Sequence, residues 1–398
     1  MISVEEAVAR VTALLQPVGS ETVAIDQAFG RVLAEDARAR MTQPPAPVSS
    51  MDGYAVRAAD VTNPPATLRV VGSSPAGHPF GGAIAQGEAV RIFTGGVVPD
   101  GADGIVIQED ATADGDKVTL NVAARPGKHI RAAGLDFSLD DVLAHAGRRL
   151  TARDVSLLAA ADLAQLRVSR KPRVAIAATG DELSRPGETR GAGGIVASSG
   201  YALRPMIEAW GGEAVDLGIF PDNIDAIASI AEKASGADLI VTLGGASVGD
   251  HDLIQKALGP QGFSLDFWKI AMRPGKPLIF GRLKDTPLLG LPGNPVSTFV
   301  CAVLFVRPAI AALLATDAAT PMISARLTHS LPENDTRQDY MRAQLLLRGG
   351  EYWADVNEVQ DSSMLGTLAF ANALVVRAPH APAIEGGQRV DVLPLAGL

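Results

Sequence analysis

The sequence has a single cysteine, and it has neither a recognisable secretory signal nor an uninterrupted apolar run of membrane-spanning length. Cys301 lies in the apolar run 300–304, so no disulfide can form within the chain and a buried packing position is favoured. The first six residues contain no basic segment followed by an apolar one, and no run approaches the ~18 apolar residues of a membrane helix. These absences predict a soluble cytoplasmic protein with no membrane partner.

Aromatic residues and positive charge are also scarce. Aromatics are 5% of the chain, and 35 Lys and Arg stand against 44 Asp and Glu, which gives a net charge of −9. A protein that binds nucleic acid needs a basic face and often uses aromatic side chains to stack bases. We therefore expect no nucleic-acid partner. A small anionic ligand remains compatible with this composition, because its site needs only a few cations and backbone amides.

Three patterns of apolar residues follow one another along the 398 residues. A capping box at Ser3–Glu6 opens an amphipathic helix, and short β-branched runs separated by Gly, Pro and Asp then fill 21–150. From Lys171 to Leu314 apolar strands alternate with helices, which predicts a mostly parallel sheet covered on both faces. After Pro321 the β pattern returns to the end of the chain. The sequence therefore predicts a multidomain protein with a central α/β domain.

Polar and glycine-rich loops follow three of the predicted parallel strands, where an open α/β sheet binds its ligands. Glycines allow close approach of backbone N–H groups to an anion, and a helix N-terminus adds partial positive charge. One such loop is readily explained as a tight turn, but three at strand ends favour a site for a phosphorylated small molecule. The predicted binding residues of the last two loops are Gly244, Gly245, Ser247, Gly249, Asp250, Pro292, Gly293, Asn294 and Ser297.

Neither G-x-x-x-x-G-K-[ST] nor a strand-linked G-x-G-x-x-G occurs, which disfavours ordinary kinase and dehydrogenase chemistry. Lys269, Arg273 and Lys276 lie within eight positions around a Pro-Gly turn. They can neutralise a polyanion, although a solvated surface cluster is an alternative explanation.

Carboxylates beside an anionic ligand would repel it unless a cation lies between them. Glu182, Asp222 and Asp252 near the phosphate-binding loops therefore predict a hard ion such as Mg²⁺. The six histidines are scattered without cysteine partners, so a structural zinc site is not expected.

At these residues the sequence resembles the molybdopterin molybdenumtransferase family, which includes MoeA and the E domain of gephyrin. The resemblance extends nearly from end to end, and its specificity comes from eight motifs in the family's order. They are Ser50-Met51-Asp52-Gly53-Tyr54-Ala55, Ile92-Phe93-Thr94-Gly95-Gly96 with Val98-Pro99, Ala102-Asp103 with Glu109, Arg131-Ala132-Ala133-Gly134-Leu135-Asp136, Thr179-Gly180-Asp181-Glu182-Leu183, Gly244-Gly245-Ala246-Ser247-Val248-Gly249-Asp250, Pro274-Gly275-Lys276-Pro277 and Gly290-Leu291-Pro292-Gly293-Asn294-Pro295-Val296-Ser297.

The resemblance implies an L-shaped homodimer with four domains in each chain. A helical domain, 1–25 with 137–170, would carry an inserted β-rich domain at 26–136. A molybdopterin-binding-like α/β domain would follow at 171–318 and a C-terminal β-barrel at 319–398. The implied reaction inserts molybdate into adenylylated molybdopterin with Mg²⁺ and yields molybdenum cofactor and AMP. Transient contacts with the molybdopterin adenylyltransferase and with cofactor-accepting enzymes are also implied.

By resemblance, the catalytic set divides between the two halves of a cleft shared by two subunits. Glu182, Asp222 and Asp252 take the ion and phosphate side, and they are the implied Mg²⁺ ligands. Residues of the N-terminal half reach the partner's α/β domain, and residues of the C-terminal domain line the same cleft. The residues of the N-terminal half are Asp52, Thr94 and Asp136, and those of the C-terminal domain are Arg342, Ser362 and Ser363.

The sequence departs from the commoner family pattern at three places. Arg273 stands where a lysine is frequent, Pro221-Asp222-Asn223 replaces an Arg-Asp-Asp-like run, and Leu139-Asp140-Asp141 replaces a Lys-Gly-Asp-like turn. Two other functions stay open at this point. The same α/β domain occurs in molybdopterin adenylyltransferases, and a paralogue that only binds or scaffolds is the second alternative.

Overall fold

The computed structural model describes residues 1–245, 250–318 and 322–395, with the backbone alone at 250–252. The N-terminal region begins with a helix because Ser3 caps it, accepting a hydrogen bond from the Glu6 N–H at 3.1 Å. The elements of this region, in chain order, are α1 (Val4–Ala13), β1 (Ser20–Ala24), β2 (Ala37–Arg38), β3 (Val48–Ser49), β4 (Gly53–Val56), β5 (Ala66–Ser74), β6 (Glu88–Ile92), β7 (Gly104–Ile107), β8 (Ala111–Asp114), β9 (Lys117–Leu120), β10 (Ile130–Arg131), β11 (Val142–Ala144), α2 (Ala152–Ala160) and β12 (Gln165–Ser169).

Two parts separate within this region. Strands β4 to β9 form a six-stranded sheet in the order β7-β4-β6-β5-β9-β8, which is the inserted β-rich part. Outside it, β1 pairs with β12 and β2 pairs with β11, so distant segments of the chain close the helical part. Ala28, Leu33 and Ala39 belong to the same hydrophobic cluster as Leu158 of α2. Segment 28–39 thus packs with the helical part, although the resemblance places it in the insertion at 26–136.

The central region alternates strand and helix, as the sequence predicts. Its elements are β13 (Arg173–Thr179), β14 (Leu183–Ser184), β15 (Ile195–Val196), α3 (Ser199–Ala209), β16 (Glu213–Phe220), α4 (Ile224–Ala228), α5 (Ile230–Lys233), β17 (Leu239–Leu243), α6 (Asp250–Leu258), β18 (Phe263–Lys269), β19 (Met272–Arg273), β20 (Pro277–Leu283), β21 (Thr286–Leu291), α7 (Pro295–Cys301) and α8 (Arg307–Leu313). Six strands form one sheet in the order β16-β13-β17-β21-β20-β18. The first four strands are parallel to one another. Strand β20 is antiparallel to its neighbour β21, and β18 is antiparallel to β20.

Alternating residues of the buried strands face the two helical layers. On β13, Val174 and Ile176 pack with the cluster that includes α3, α7 and α8, whereas Ala175 and Ala177 pack with the cluster of α4, α5 and α6. Side chains two positions apart lie on one face of a strand. The prediction of a parallel α/β sheet covered on both faces is therefore confirmed. One strand of this six-stranded sheet, β18, is not predicted, and the single helix expected at 224–234 is divided at Ser229.

Among the residues that the structure describes, one helix is long and apolar enough to cross a membrane, although the sequence contains no uninterrupted apolar run of that length. Pro295–Leu313 has 19 residues and a mean hydropathy of 2.0, although Ser297, Thr298, Arg307 and Pro308 interrupt its apolar residues. The window is 72% buried inside the protein. It is thus a core helix of the α/β domain, and Ala302–Val306 forms a wider π-helical turn just before Pro308.

The C-terminal domain is a five-stranded β-barrel. Its elements are β22 (Ile323–Leu327), β23 (Gln338–Arg348), β24 (Glu351–Val356), α9 (Leu365–Phe370), β25 (Ala373–Arg377) and β26 (Arg389–Pro394). The pairing of β23 with β25 closes the order β23-β24-β22-β26-β25 into a barrel. Strand β19 of the central region pairs with β23, and the Arg273 guanidinium binds the Asp339 carboxylate through two nitrogens. This pairing joins the two domains.

A prediction follows from the antiparallel edge of the central sheet. A Cβ atom at Gly281 would lie 2.2 Å from the Ser264 carbonyl oxygen and 2.8 Å from the Phe263 ring. Gly281→Ala should therefore lower the free energy of unfolding by about 2–3 kcal/mol, because a neighbouring backbone oxygen cannot move aside. Gly259→Ala, where no atom lies within 4 Å of the new Cβ, is the control. Equal urea midpoints for the two variants would contradict the packing.

Candidate functional site

A cavity of about 560 Å³ opens at the carboxyl ends of β13, β17 and β21. Volumes of this order hold small-molecule ligands in proteins. The three loops that the sequence singles out meet here. The lining residues are Ala178, Thr179, Glu182, Leu183, Ile195, Val196, Ala197, Ser198, Ser199, Gly200, Asp222, Leu243, Gly244, Gly245, Pro277, Pro292, Gly293, Asn294, Pro295 and Ser363.

The floor of the cavity is formed where the loop after β17 passes over the end of β13. Gly244 and Gly245 have φ angles of +92° and +66°, and a Cβ at Gly244 would lie 2.7 Å from the Thr179 carbonyl oxygen. Only glycine combines these angles with this close approach. The Thr179 hydroxyl is buried and has no hydrogen-bond partner in the described structure. It is a polar group that a bound ligand can satisfy.

The loop before α7 forms one wall of the cavity. Asn294 occupies the N-cap position, but its side chain makes no capping bond; its Nδ2 donates instead to Ser362 Oγ at 3.0 Å. Ser363, the next residue, lines the cavity, and its hydroxyl donates to Asp361 Oδ1 at 2.6 Å. The C-terminal domain thus supplies part of the wall. Pro295 has no N–H, and the Val296 N–H donates to the Ser362 carbonyl at 3.2 Å, so the first turn of α7 is tied to this domain.

Two of the predicted carboxylates line the same cavity. Glu182 lies in the loop after β13, and Asp222 follows β16. The backbone N–H of Asp222 donates to Asp181 Oδ1 at 3.0 Å, which ties these two loops together. Ser247 and Gly249, and the side chains of Asp250 and Asp252, lie outside the described residues. In the described part of the chain, no group of three or more Asp, Glu, His or Cys side chains is close enough to hold a metal ion.

The three predicted cations differ in their surroundings. Lys269 Nζ lies 3.6 Å from the centroid of the Trp268 ring, which gives it a cation–π contact. Arg273 is paired with Asp339 and Asp335, so its guanidinium serves the contact between domains. Lys276 is exposed beside Pro277, which lines the cavity. Of the three cations, Lys276 is therefore the closest in sequence to a residue that lines the cavity.

Two further predicted residues support the wall from behind. Ser297 is buried within α7. The Arg342 side chain is 1% exposed, and it donates to Gln360 Oε1 at 3.2 Å and to the Met364 carbonyl at 3.3 Å. Burial lowers the pKa of Arg342 from its usual value. Its contacts hold the segment that carries Ser362 and Ser363, and Arg342 is not among the residues that line the cavity.

The predicted N-terminal residues form a separate group. The Asp52 carboxylate oxygen Oδ1 accepts hydrogen bonds from the Thr94 N–H at 2.7 Å and from its hydroxyl at 2.8 Å. These bonds lower the pKa of Asp52 below its ordinary value of 3.8, with the backbone bond as the largest cause. Asp136 is exposed, and its N–H donates to the Gln43 carbonyl at 3.0 Å. Among the described residues that line the cavity, none comes from 1–170.

Sequence reasoning misses several lining residues. Ser198 and Ser199 start α3, and the sequence suggests them as caps, but Ser198 makes no side-chain capping bond and both line the cavity. Thr179 precedes the predicted Glu182 motif, yet nothing in the sequence shows that its hydroxyl is buried without a partner. The available signal was the run of polar residues at the start of a helix after a strand.

Three family models match successive parts of the chain and define its class. The MoeA N-terminal region (domain I and II) matches residues 2–161, the probable molybdopterin binding domain matches 175–312, and the MoeA C-terminal region (domain IV) matches 324–395. A solved structure of the molybdopterin biosynthesis MoeA protein from Pyrococcus horikoshii has a TM-score of 0.87 and 29% identity, with 100% of both chains covered.

Two relatives narrow the assignment. The molybdopterin molybdenumtransferase of Haemophilus influenzae is 33% identical over 383 residues, which cover 95% of this chain and 94% of that protein. The one from Nostoc sp. is 35% identical over 387 residues, with 94% and 89% covered. The chain belongs to the molybdopterin molybdenumtransferase family. It is a transferase of molybdenum cofactor biosynthesis, which confirms the resemblance and the class of enzyme predicted from the sequence.

The Asp52–Thr94 contact predicts a pH dependence. A carboxylate whose pKa is lowered by folding stabilises the protein above its unfolded pKa, and this contribution is lost as the pH falls through the folded pKa. The free energy of unfolding of the wild type should therefore exceed that of Asp52→Asn most above about pH 4, and the excess should shrink below that pH. Urea unfolding at a series of pH values measures this excess. Thr94→Val, which removes the hydroxyl that donates to Asp52, should remove part of it. A constant difference between pH 6 and pH 3 would contradict the contact.

Proposed function

We propose that this protein inserts molybdate into adenylylated molybdopterin and releases AMP and molybdenum cofactor. The observation that carries the proposal is the convergence of three glycine-containing strand ends, two carboxylates and an unsatisfied hydroxyl on one cavity. The dithiolene sulfurs of the substrate provide the ligands of the molybdenum, so the protein needs no cysteine or histidine ligands of its own. Its task is to hold an oxyanion beside a phosphate-linked pterin.

The residues of the cavity divide this task. Backbone N–H groups of the glycine loops at Gly245 and Gly293 bind phosphate oxygens, and the Thr179 hydroxyl donates a further hydrogen bond. Lys276 neutralises charge that grows on the nucleotide as the phosphoanhydride bond breaks. Ser363 orients the substrate from the side of the C-terminal barrel. The predicted roles of Ser247, Gly249, Asp250 and Asp252 remain part of the proposal.

Magnesium fits this donor set. Mg²⁺ in phosphate-transfer sites is bound by one or two carboxylates together with substrate oxygens and water. Glu182 and Asp222, which line the cavity, would hold the ion, and Asp252 is the third candidate. When bound, the ion supplies positive charge against the phosphate oxygens. The carboxylates by themselves would repel a phosphorylated ligand.

We also propose that a complete cleft needs two protomers. Asp52, Thr94 and Asp136 carry the catalytic roles of the N-terminal half, yet the described lining of the cavity contains no residue from 1–170. A homodimer that places the β-rich part of one protomer over the α/β domain of its partner would bring the two halves together. The proposal further includes a cytoplasmic location and transient contacts with the enzymes that supply adenylylated molybdopterin and accept the cofactor.

The reaction is tested by incubating the purified chain with adenylylated molybdopterin. We expect release of AMP when molybdate and Mg²⁺ are both present, and little release when either is omitted. Chelation of Mg²⁺ with EDTA, followed by its restoration, serves as the control. Synthesis of the adenylylated compound from molybdopterin and ATP without molybdate would instead identify an adenylyltransferase. Binding of the pterin without turnover in any mixture would identify a scaffold.

The shared cleft is tested with heterodimers purified through two different tags. Asp52→Ala and Glu182→Ala should each abolish activity as homodimers. Their heterodimer should recover about half of the wild-type rate, because one of its two clefts contains neither substitution.

The inverse heterodimer provides the control. A wild-type chain paired with an Asp52→Ala/Glu182→Ala chain should be inactive, because each cleft then contains one substitution. A cleft built within one chain requires the opposite pair of results, so the two heterodimers decide between the arrangements.

A further inference from the structure

Arg91, on strand β6 of the inserted sheet, is held unusually firmly for a half-buried arginine. Its guanidinium lies over the Tyr54 ring, with 5.1 Å from Cζ to the ring centroid, and over the Phe93 ring at 4.9 Å. Contacts of a guanidinium with two aromatic faces restrict it to one position and orientation. Neither the family motifs nor the charge pattern of the sequence singles this residue out.

The hydrogen bonds of Arg91 converge on the residues beside Asp52. Nη1 donates to the Gly53 carbonyl at 3.1 Å, and Nη2 donates to Gln108 Oε1 at 2.6 Å. The backbone N–H of Gln108 in turn donates to the Asp52 carbonyl at 3.0 Å. Arg91 thus connects its own strand to β4 and to the residue that follows β7. Both connections lead to the backbone at Asp52.

Neighbouring packing leaves this group little freedom to move. A Cβ at Gly53 would lie 2.1 Å from the Val106 carbonyl oxygen, so β4 and β7 are in close contact beside Asp52. Thr94, which donates both of its hydrogen bonds to Asp52, follows Arg91 by three residues. The Asp52 carboxylate is therefore held by the loop that follows β6, and the backbone beside it is held from β6 itself.

We propose that Arg91 is a positioning residue for molybdate insertion, which holds Asp52 and Thr94 in the orientation that faces the partner's cavity. The inference rests on the proposed function, because only that function gives Asp52 a catalytic role. An arginine suits the position since its planar fork donates to two acceptors while it stacks on rings, whereas a lysine offers one compact charge. The lowered pKa of Asp52, due first to the Thr94 bonds, also has a contribution from the charge of Arg91.

Two substitutions separate the geometry of Arg91 from its charge. Arg91→Lys keeps the charge and loses the fork, and Arg91→Gln loses both. We expect each to lower the kcat of molybdate-dependent AMP release about 10- to 100-fold with little change in KM, because small misplacements of a catalytic group are costly. Arg69→Gln is the matched control, since Arg69 lies on the same sheet and pairs with Glu88. Its kcat should equal that of the wild type.

The second measurement follows the Thr94 amide in the full-length protein labelled with ¹⁵N-threonine. This amide donates to Asp52, so its chemical shift reports protonation of the carboxylate. Arg91→Gln should move the titration midpoint to higher pH, and Arg91→Lys should leave it near the wild-type value. A merely structural role would not separate the two variants in this way.

Three results would overturn the inference. They are a wild-type kcat in Arg91→Gln, an equal loss of kcat in Arg69→Gln, and a Thr94 midpoint that is the same in Arg91→Gln and wild type. Failure of the proposed function is distinguishable, because it appears as absence of AMP release by the wild-type protein. In that case the Thr94 titration still decides whether Arg91 controls the Asp52 carboxylate.

Discussion

The close contact between the end of β13 and the loop after β17 is the constraint on which the cavity depends. Adjacent parallel strands lie about 4.8 Å apart, so their carboxyl ends deliver successive loops to one edge of the sheet. At that edge the Gly244 backbone packs against the Thr179 carbonyl with no space for a side chain. The loop is therefore held low over the sheet, and the cavity forms between it, the start of α3 and the start of α7. Any side chain at Gly244 would lift the loop away from the buried Thr179 hydroxyl.

The second constraint is that one chain separates its two groups of predicted site residues. Asp52 and Thr94 are fixed to one another by hydrogen bonds within the inserted sheet, whereas Glu182 and Asp222 belong to the loops of the parallel sheet. Each group lies within its own domain. A site that forms by bringing together two preorganised halves needs only one correctly positioned interface. A symmetric dimer provides that interface. The proposed shared cleft follows from this division of residues.

The buried parallel strands were predictable because they are short apolar runs bounded by glycine and helix signals, and their loops carry the site. Strand β18 was missed, although Phe263–Lys269 alternates apolar with polar residues, which is the pattern of a half-buried edge strand. The environments of Arg273 and Arg342 could not be predicted from the sequence. Arg273 pairs with Asp339, which lies 66 positions further along the chain, and Arg342 is buried beneath the segment around Gln360, to which it donates a hydrogen bond. Local patterns specify elements and loops, whereas pairings across distant segments require the tertiary fold.

The departures from the family pattern have local structural reasons. Asp140 has a φ of +69°, the left-handed region that glycine favours and aspartate tolerates better than most residues, so it replaces the usual glycine of the turn. Asn223 caps α4 by accepting from the Ala226 N–H at 2.8 Å, a role that suits asparagine as well as the aspartate it replaces. Arg273 binds Asp339 through two nitrogens, which a lysine cannot do. At this position the exchange strengthens the contact between the α/β domain and the barrel, and Lys276, three residues on, remains exposed beside the cavity. The substitutions thus alter how the site is supported and leave its lining groups in place.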